Sequence, residues 1–179
     1  MPDIGLDRHP VAVAPTLLGA ILVSEVEGHR VEVVLTEVEA YAGTGDAASH
    51  SHRGPTPRCT SMFGPSGHLY VYRSHGIHWC ANVVTEPEGI GSAVLLRGGT
   101  VITGANTVVQ RRGRPDHLTD GPGKLCQALG ITGVHDGLDL FAAASPVRLL
   151  PGRHLEYRTT PRVGISRSSE LPWRFLAAE

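Results

Sequence analysis

The sequence predicts an α+β fold: a single compact domain with a mixed, largely antiparallel curved β-sheet and short flanking helices. Segments rich in β-branched residues recur along the chain with turn-forming residues between them, which is typical of antiparallel strands. The helical segments are short and do not alternate strictly with the strands, as they would around a parallel sheet. The chain has 179 residues, 41% of them hydrophobic, so we expect one domain over residues 1–179 with a sizeable core.

The first third of the chain predicts one helix and two strands. Proline suits a first helical turn, so a short helix is expected around Pro15 to Ala20. Two strands are expected near Ile21–Val26 and Arg30–Ala40, joined by a tight turn at Glu27-Gly28. Residues 42–68 form a long connection rich in glycine, proline and serine. A connection of that length inside a compact domain is usually functional or disordered.

The rest of the chain predicts further strands and two helices. The strands are expected at Leu69–Tyr72, Trp79–Thr85, Ser92–Arg97, Val147–Leu150 and Arg162–Ile165. Apolar residues at helix spacing predict a helix over residues 100–112. Another helix is expected after Gly121-Pro122-Gly123, closed by Gly130.

Composition excludes several classes of protein. No window approaches the twenty or so apolar residues of a membrane span. The opening residues lack the basic, apolar and small-residue regions of a leader, so we expect none. Cys59, Cys80 and Cys126 are widely spaced and form no CxxC pair, which argues against a disulfide framework and a structural zinc site. We therefore expect a cytoplasmic protein with no membrane partner.

The formal net charge of −1 conceals an uneven distribution of charge. Residues 47–85 contain no acid but three arginines and five of the ten histidines, and residues 89–115 contain no acid but four arginines. Segregation of this kind can create one positive surface on a neutral protein. Chance clustering in glycine-rich loops would give the same composition.

The strand that ends at Tyr41 carries candidate catalytic groups. Alternate side chains of a strand share a face, so the apolar odd-numbered side chains of Val31–Leu35 are expected to continue into Glu37, Glu39 and Tyr41. A carboxylate buried on such a face is a plausible proton acceptor near neutral pH. The alternative is that the strand leaves the core at Leu35, which would leave both carboxylates solvated.

Seven short blocks occur in one order and spacing between about Leu17 and Ile131. They are E-x-E-A-Y, A-x-H-S, T-P-R, M-F-x-x-x-G-x-L-Y-V-Y, a cysteine followed by Asn82, V-L-L-R and G-P-G-K-L-C-Q-A-L-G-I, with weaker echoes in RVGIS and PWRF. Together they resemble the alkyladenine (3-methyladenine) DNA glycosylase family of the mammalian type. The resemblance implies a monofunctional base-excision-repair enzyme that acts as a monomer on duplex DNA in the bacterial nucleoid. Such an enzyme flips out alkylated purines, with deaminated purines as further candidates, and hydrolyses the N-glycosidic bond to leave an abasic site.

The resemblance also implies residue roles at the reaction centre. Glu39 corresponds to the general base that activates the attacking water, and Arg97 to the side chain that helps to hold this water. The implied base-binding pocket consists of Tyr41, His50, Tyr72 and Asn82. The two tyrosines and the histidine would sandwich the flipped base, and Asn82 would clash with the exocyclic amine of a normal guanine.

Further positions match the family's contacts to DNA outside the pocket. His75 stands where the family usually inserts a tyrosine wedge into the gap left by the flipped nucleotide, and imidazole is a smaller stacking surface. Ile77 and His78 would flank this wedge in the minor groove. Lys124 is the only lysine, so a covalent amine mechanism is not expected. We expect Lys124 to contact a phosphate together with helix amides, although an ordinary helical turn is the alternative.

The chemistry supports these assignments independently. A base stacked inside a duplex cannot be cut from its sugar, so the nucleotide must leave the helix and enter a pocket. N-alkylated purines carry positive charge, so stacking on a tyrosine ring adds a cation–π attraction of about 0.5–2 kcal/mol. Cleavage develops positive charge on the sugar, which a nearby carboxylate can stabilise while it takes a proton from water.

Two other functions remain open from the sequence. The chain could be a non-catalytic binder of damaged DNA, although the presence of both Glu39 and Arg97 argues against this. It could also be a metal-dependent hydrolase that uses the histidines of residues 50–52 and 75–78. Those histidines lack the spacing of known zinc sites, so we expect neither a metal nor an organic cofactor.

Overall fold

The computed structural model describes residues 5–178, so residues 1–4 and 179 of the predicted domain lie outside it. Its three α-helices are α1 (Pro10–Leu17), α2 (Ala105–Arg112) and α3 (Pro122–Leu129). Its strands are β1 (Ile21–Ser24), β2 (Val31–Tyr41), β3 (Leu69–Ser74), β4 (His78–Thr85), β5 (Ser92–Thr103), β6 (Val147–Leu150), β7 (Tyr157–Thr160) and β8 (Arg174–Ala177). Single turns of 3₁₀-helix occur at Val26–Gly28, Thr60–Phe63 and Gly133–His135. The predicted α+β class is confirmed.

The strands form one sheet whose pairings are all antiparallel in the described part of the chain. The main order is β3-β4-β5-β2-β1-β6. β2 is the central strand, because it pairs with β5 along one edge and with two strands along the other. β1 pairs with Val31–Val34, and β8 pairs with Glu37–Glu39 and also with β7. The C-terminal strand β8 therefore lies beside the carboxylates of β2.

The helices pack on one face of this sheet. α1 contacts β2 and β5, α3 contacts β4 and β5, and α2 packs against α3. The core between the layers includes Leu17 of α1, Leu35 of β2, Leu96 of β5 and Leu125 of α3, all essentially without solvent exposure. Within residues 5–178 no α-helix covers the opposite face of β2–β5, and the 3₁₀ turn Thr60–Phe63 contacts β3, β4 and β5.

A β-bulge in β2 changes which side chains face the helices. Leu35 pairs with Gly99, but Glu37 pairs with Gly98, so Thr36 is an extra residue. Beyond this bulge, Val38 and Ala40 belong to the helix-side core, and Glu39 points to the other face. The prediction that Glu37, Glu39 and Tyr41 continue the face of Val31–Leu35 is therefore wrong, because strict alternation ends at the bulge.

The opposing strand β5 contains a compensating irregularity. Glu37 pairs with Gly98 while Val38 pairs with Leu96, so Arg97 is the residue skipped in the register. Val94 and Leu96 face the helix-side core, which directs Arg97 to the same face as Glu39. The two irregularities in neighbouring strands therefore bring the carboxylate of Glu39 and the guanidinium of Arg97 to the same face of the sheet.

Several predicted boundaries differ from the structure. The first helix spans Pro10–Leu17 rather than Pro15 to Ala20, because Pro10 occupies the first helical turn and Pro15 lies inside the helix. The predicted helix over residues 100–112 begins only at Ala105, since β5 continues to Thr103. The apolar residues of 100–112 belong partly to the end of β5 and partly to α2. Their spacing alone does not show where the strand ends and the helix begins.

The C-terminal third contains the largest differences. The segment Arg162–Ile165 is irregular rather than a strand, because its main chain borders a cavity instead of pairing in the sheet. Strands β7 and β8 were not predicted. The turn at Glu27-Gly28 is confirmed, and Gly130 closes α3 in the left-handed conformation with a φ of 70°.

Gly99 tests how tightly the bulged region is packed. A Cβ atom at this position would lie 2.3 Å from the carbonyl oxygen of Val34, so the two strands would have to separate. We expect Gly99→Ala to lower the free energy of unfolding by roughly 1–3 kcal/mol, measured by urea denaturation. Gly121→Ala is the matched control, since a Cβ atom there meets nothing closer than 3.8 Å. Equal stability of the two variants would contradict this packing.

Candidate active site

A cavity of about 670 Å³ opens on the sheet face opposite the helices. Side chains of β2, β3, β4 and β5 form its floor. Two irregular segments, residues 47–62 and 163–167, contribute its walls. The long connection after β2 is therefore part of this cavity, in agreement with the functional alternative for such a segment.

Aromatic rings line one side of the cavity. Tyr41, His50, Tyr70 and Tyr72 all border it. The rings of His50 and Tyr72 stand nearly perpendicular with centroids 4.5 Å apart, and Tyr70 stacks on Tyr72 at 5.6 Å. The hydroxyl of Tyr70 lies 2.9 Å from Nδ1 of His50 and fixes the orientation of the imidazole. The expected pocket residues thus lie together, and the buried Tyr70 supports them.

The imidazole of His50 is neutral near pH 7. Burial and, to a lesser extent, the positive charge of Arg58 lower the pKa of His50. The guanidinium of Arg58 lies 5.7 Å from the centroid of the Tyr72 ring. The aromatic side of the cavity therefore presents a neutral imidazole with a cation at its rim.

The carboxylate of Glu39 lies directly behind the cavity wall. Its side chain has no solvent exposure, which excludes the alternative of a solvated strand end. The hydroxyl of Tyr41 donates to Oε2 at 2.8 Å, and the backbone N–H of Val163 donates to Oε1 at 2.7 Å. Nη1 of Arg97 lies 3.4 Å from Oε2. All three donors belong to residues that border the cavity.

Tyr41 remains a hydrogen-bond donor at all ordinary pH values. Burial, reinforced by the negative charge of Glu39, raises the pKa of the Tyr41 hydroxyl. A neutral phenol can donate to a carboxylate, whereas a phenolate would repel it. The Tyr41 hydroxyl therefore keeps the proton that it donates to Glu39 at neutral pH.

Glu37 holds Arg97 more closely than Glu39 does. Nε of Arg97 and Nε of Arg174 each donate to Oε1 of Glu37 at 2.7 Å. Burial raises the pKa of Glu37, but the hydrogen bonds from Arg174 and Arg97 outweigh burial and leave the pKa below its ordinary value. Burial lowers the pKa of Arg97, and the charges of Glu39 and Glu37 overcome this effect. Arg97 is therefore a fixed cation whose charge is shared between two carboxylates.

Asn82 lies on the cavity floor with its orientation set by the main chain. Its side chain is nearly buried, and Nδ2 donates to the carbonyl oxygen of Tyr70 at 3.0 Å. This bond across β3 and β4 determines which end of the amide turns toward the cavity. The structure therefore places Asn82 at the floor of the cavity, as its assignment requires.

The turn between β3 and β4 lies at the cavity rim. His75 has a φ of 50° and borders the cavity, and the neighbouring Ile77 is 66% exposed. His78 is the first residue of β4 and packs closely against Gly123 of α3. The packing is so tight that a Cβ atom added at Gly123 would lie 2.9 Å from the Cβ of His78. The three predicted DNA-contacting residues thus form one exposed turn beside the cavity.

Lys124 lies in the first turn of α3 with an acidic neighbour. Its Nζ is 3.0 Å from Oδ1 of Asp120. The hydrogen bond from His117, together with Lys124, lowers the pKa of Asp120 to about 2. A phosphate would have to share Lys124 with this carboxylate, so the predicted phosphate contact stays a prediction.

Sequence reasoning missed the residues that close the cavity on its C-terminal side. Arg162 forms a fully buried ion pair with Asp46, and Val163 provides the N–H bond to Glu39. The signals were present as the aspartate between the E-x-E-A-Y and A-x-H-S blocks and as the RVGIS echo near the C-terminus. Neither signal indicates on its own that the two segments meet.

No group of three histidine, cysteine or acidic side chains within residues 5–178 is arranged to hold a metal ion. The cysteines Cys59, Cys80 and Cys126 are free and buried. In the same range, no helix has the length and apolarity needed to cross a bilayer.

Comparisons with known proteins agree with this geometry. The model of the family described as methylpurine-DNA glycosylase matches residues 5–179. A protein of Mycolicibacterium fortuitum named “Putative 3-methyladenine DNA glycosylase” is 49% identical over 178 residues, 95% of this chain and 90% of its own length. Proteins of the same name from Mycobacterium sp. (strain KMS) and Mycobacterium tuberculosis H37Rv are 46% and 49% identical, over 94% and 92% of this chain and 85% and 83% of their own lengths. The chain therefore belongs to the methylpurine-DNA glycosylase family and is a DNA glycosylase that acts on alkylated bases.

Proposed function

We propose that the cavity receives one purine flipped out of duplex DNA and that Glu39 activates a water molecule to hydrolyse its N-glycosidic bond. The observation that carries this proposal is a fully buried carboxylate held by three donors immediately behind an aromatic cavity. A buried anion with so many fixed partners is expensive to maintain without a function. The product would be an abasic site, with no covalent intermediate on the protein.

The hydrogen bonds of Glu39 leave one lone-pair position of the carboxylate unused. A carboxylate offers about four lone-pair positions, of which Val163 takes one on Oε1 and Tyr41 and Arg97 take two on Oε2. The remaining position on Oε1 can accept a proton from water. Arg97 would orient this water, and the negative charge of Glu39 would stabilise the positive charge that develops on the sugar.

The aromatic side of the cavity suits an alkylated purine. Tyr41 and Tyr72 supply ring faces on which a flat cationic base can stack. The neutral imidazole of His50 adds a third ring without adding charge repulsion. Asn82, fixed at the floor of the cavity, supports its assignment as the group that rejects a normal guanine.

The exposed turn beside the cavity supports the DNA-contact assignments. We assign His75 as the wedge that fills the gap left by the flipped nucleotide, with Ile77 and His78 beside it in the minor groove. An isoleucine that is 66% exposed is costly in water but suitable for contact with base edges. Lys124 and the arginines of the rim would contact phosphates.

The range of substrates and the cellular setting belong to the same proposal. Positively charged lesions such as 3-methyladenine leave readily, whereas a neutral hypoxanthine also needs protonation of the leaving base. We assign alkylated purines as the principal substrates and deaminated purines as secondary ones. The enzyme would act as a monomer on double-stranded DNA in the cytoplasm, associated with the nucleoid.

Replacement of Glu39 tests the proposed chemistry. We expect Glu39→Gln to lower single-turnover excision of 1,N6-ethenoadenine or hypoxanthine from a duplex by at least about 100-fold, because the general base is lost. Binding of the same duplex should change little. Excision is measured as strand cleavage after heating in alkali, with EDTA present to exclude a metal-dependent hydrolase.

Glu25→Gln is the matched control, since Glu25 lies in ion pairs with Arg30 and Arg148 outside the cavity. It should excise at the wild-type rate. Equal loss of binding and excision in Glu39→Gln would contradict the assigned role. Binding without any product from the wild-type protein would instead favour a non-catalytic binder.

Replacement of His75 tests the wedge assignment. We expect His75→Ala to slow extrusion of 1,N6-ethenoadenine and to weaken binding of the lesion duplex, because the gap in the helix is no longer filled. Extrusion is followed by the fluorescence rise of the unstacked base in stopped flow. His154→Ala removes an exposed histidine that does not border the cavity and should leave extrusion unchanged. Wild-type extrusion in His75→Ala would remove the wedge assignment.

A further inference from the structure

An ion pair between Asp46 and Arg162 lies entirely inside the protein. Neither side chain has any solvent exposure, and the residues are 116 positions apart in sequence. Nη1 and Nη2 of Arg162 donate to Oδ2 and Oδ1 of Asp46 at 2.6 and 2.8 Å. This bidentate geometry fixes the plane of the guanidinium relative to the carboxylate. A lysine could not do so, because its ammonium group is a single point charge.

Arg162 also fastens the main chain on both sides of the cavity wall. Nη1 donates to the carbonyl oxygen of Ala40, between Glu39 and Tyr41, at 2.9 Å. Nη2 lies 3.3 Å from the carbonyl oxygen of Ser168, at the end of the C-terminal wall segment. One guanidinium therefore ties the end of β2 to the segment that borders the cavity.

Two aromatic rings enclose the same guanidinium. Its central carbon lies 4.6 Å from the ring centroid of Tyr41 and 5.1 Å from that of Trp173. Its Nε has no hydrogen-bond partner among the described residues, so these ring faces are its surroundings. Arg162 does not border the cavity, whereas Tyr41 does. The guanidinium thus supports the Tyr41 ring from behind.

Val163, the residue after Arg162, and Tyr41 connect Arg162 to Glu39. The N–H of Val163 donates to Oε1 of Glu39 at 2.7 Å, and the hydroxyl of Tyr41 donates to Oε2 at 2.8 Å. Both donors depend on Arg162, one through the chain and one through ring contact. Displacement of Arg162 would therefore release both carboxylate oxygens of Glu39 from two of their three donors.

We propose that Arg162, clamped by Asp46, is a positioning residue that sets the orientation of Glu39 and Tyr41 for hydrolysis of the glycosidic bond. This inference rests on the proposed function of Glu39. The guanidinium touches neither the flipped base nor the water, and it acts only through Val163 and Tyr41. Its loss therefore slows the chemical step more than it weakens binding of DNA.

Two single variants separate orientation from charge. Arg162→Lys keeps a cation for Asp46 but loses the fork that also reaches Ala40 and Ser168. Asp46→Asn keeps the side-chain shape but removes the charge that holds the guanidinium. We expect each to lower the single-turnover excision rate at saturating enzyme about 10- to 100-fold, as small misplacements of catalytic groups do. Their affinity for the lesion duplex should change little.

A double variant distinguishes positioning from stability alone. Asp46→Asn with Arg162→Gln removes both buried charges, so no unpaired buried ion remains, and an unpaired buried ion is the main cost of a single removal. We expect its thermal midpoint to recover toward the wild-type value while its excision rate stays low. Arg148→Gln is the matched control, because it breaks a 2.6 Å ion pair with Glu25 away from the cavity. It should excise at the wild-type rate.

The outcomes are distinct. Excision that recovers together with thermal stability in the double variant would show that the pair is only structural, and a loss confined to duplex affinity would also overturn the inference. An inactive Glu39→Gln beside a fully active Arg162→Lys would overturn this inference alone. A fully active Glu39→Gln would overturn the proposed function, and the positioning role with it.

Discussion

The structure depends on holding one buried carboxylate, that of Glu39, in a fixed orientation. A buried anion is tolerated only where hydrogen bonds and opposite charges replace its hydration. For Glu39 these come from three separate parts of the chain: Tyr41 on the same strand, Arg97 on the neighbouring strand and Val163 near the C-terminus. The fold must therefore bring together segments more than 120 residues apart, and the C-terminal segment is as much part of the site as the strand that carries the acid.

The two irregular positions in the sheet, Thr36 and Arg97, determine which side chains of β2 and β5 face the helices and which face the cavity. One face of β2 packs on the helices, while the other must present an acid to a cavity. A regular strand could not place both Leu35 and Val38 against the helices, because they lie three residues apart. The extra residue in β2 corrects this, and the displaced Arg97 in β5 restores the register. Bulges often re-aim side chains beside active sites in this way, and here the acid and its cation are re-aimed together.

The extent of agreement with the sequence follows from the range of each interaction. Local patterns predicted the turn at Glu27-Gly28 and the helix closed by Gly130, because such signals lie within a few residues. The blocks of the family motif located the residues of the cavity. The bulge at Thr36 has no local signature, so the face of Glu39 was assigned incorrectly. The segment after Arg162 is shaped by a partner 116 residues away, which no window of sequence contains.

The arrangement of charge explains how a nearly neutral chain can act on a polyanion such as DNA. Around Glu39 three cations are matched by acids of the protein: Arg97 and Arg174 by Glu37, and Arg162 by Asp46. These pairs supply fixed donors near Glu39 without adding unpaired positive charge there. Of the arginines that border the cavity, Arg58 and Arg167 form no ion pair within the described residues. Their charges remain available to phosphates. Paired cations around Glu39 and unpaired cations at the border of the cavity thus create local fields that the net charge does not reveal.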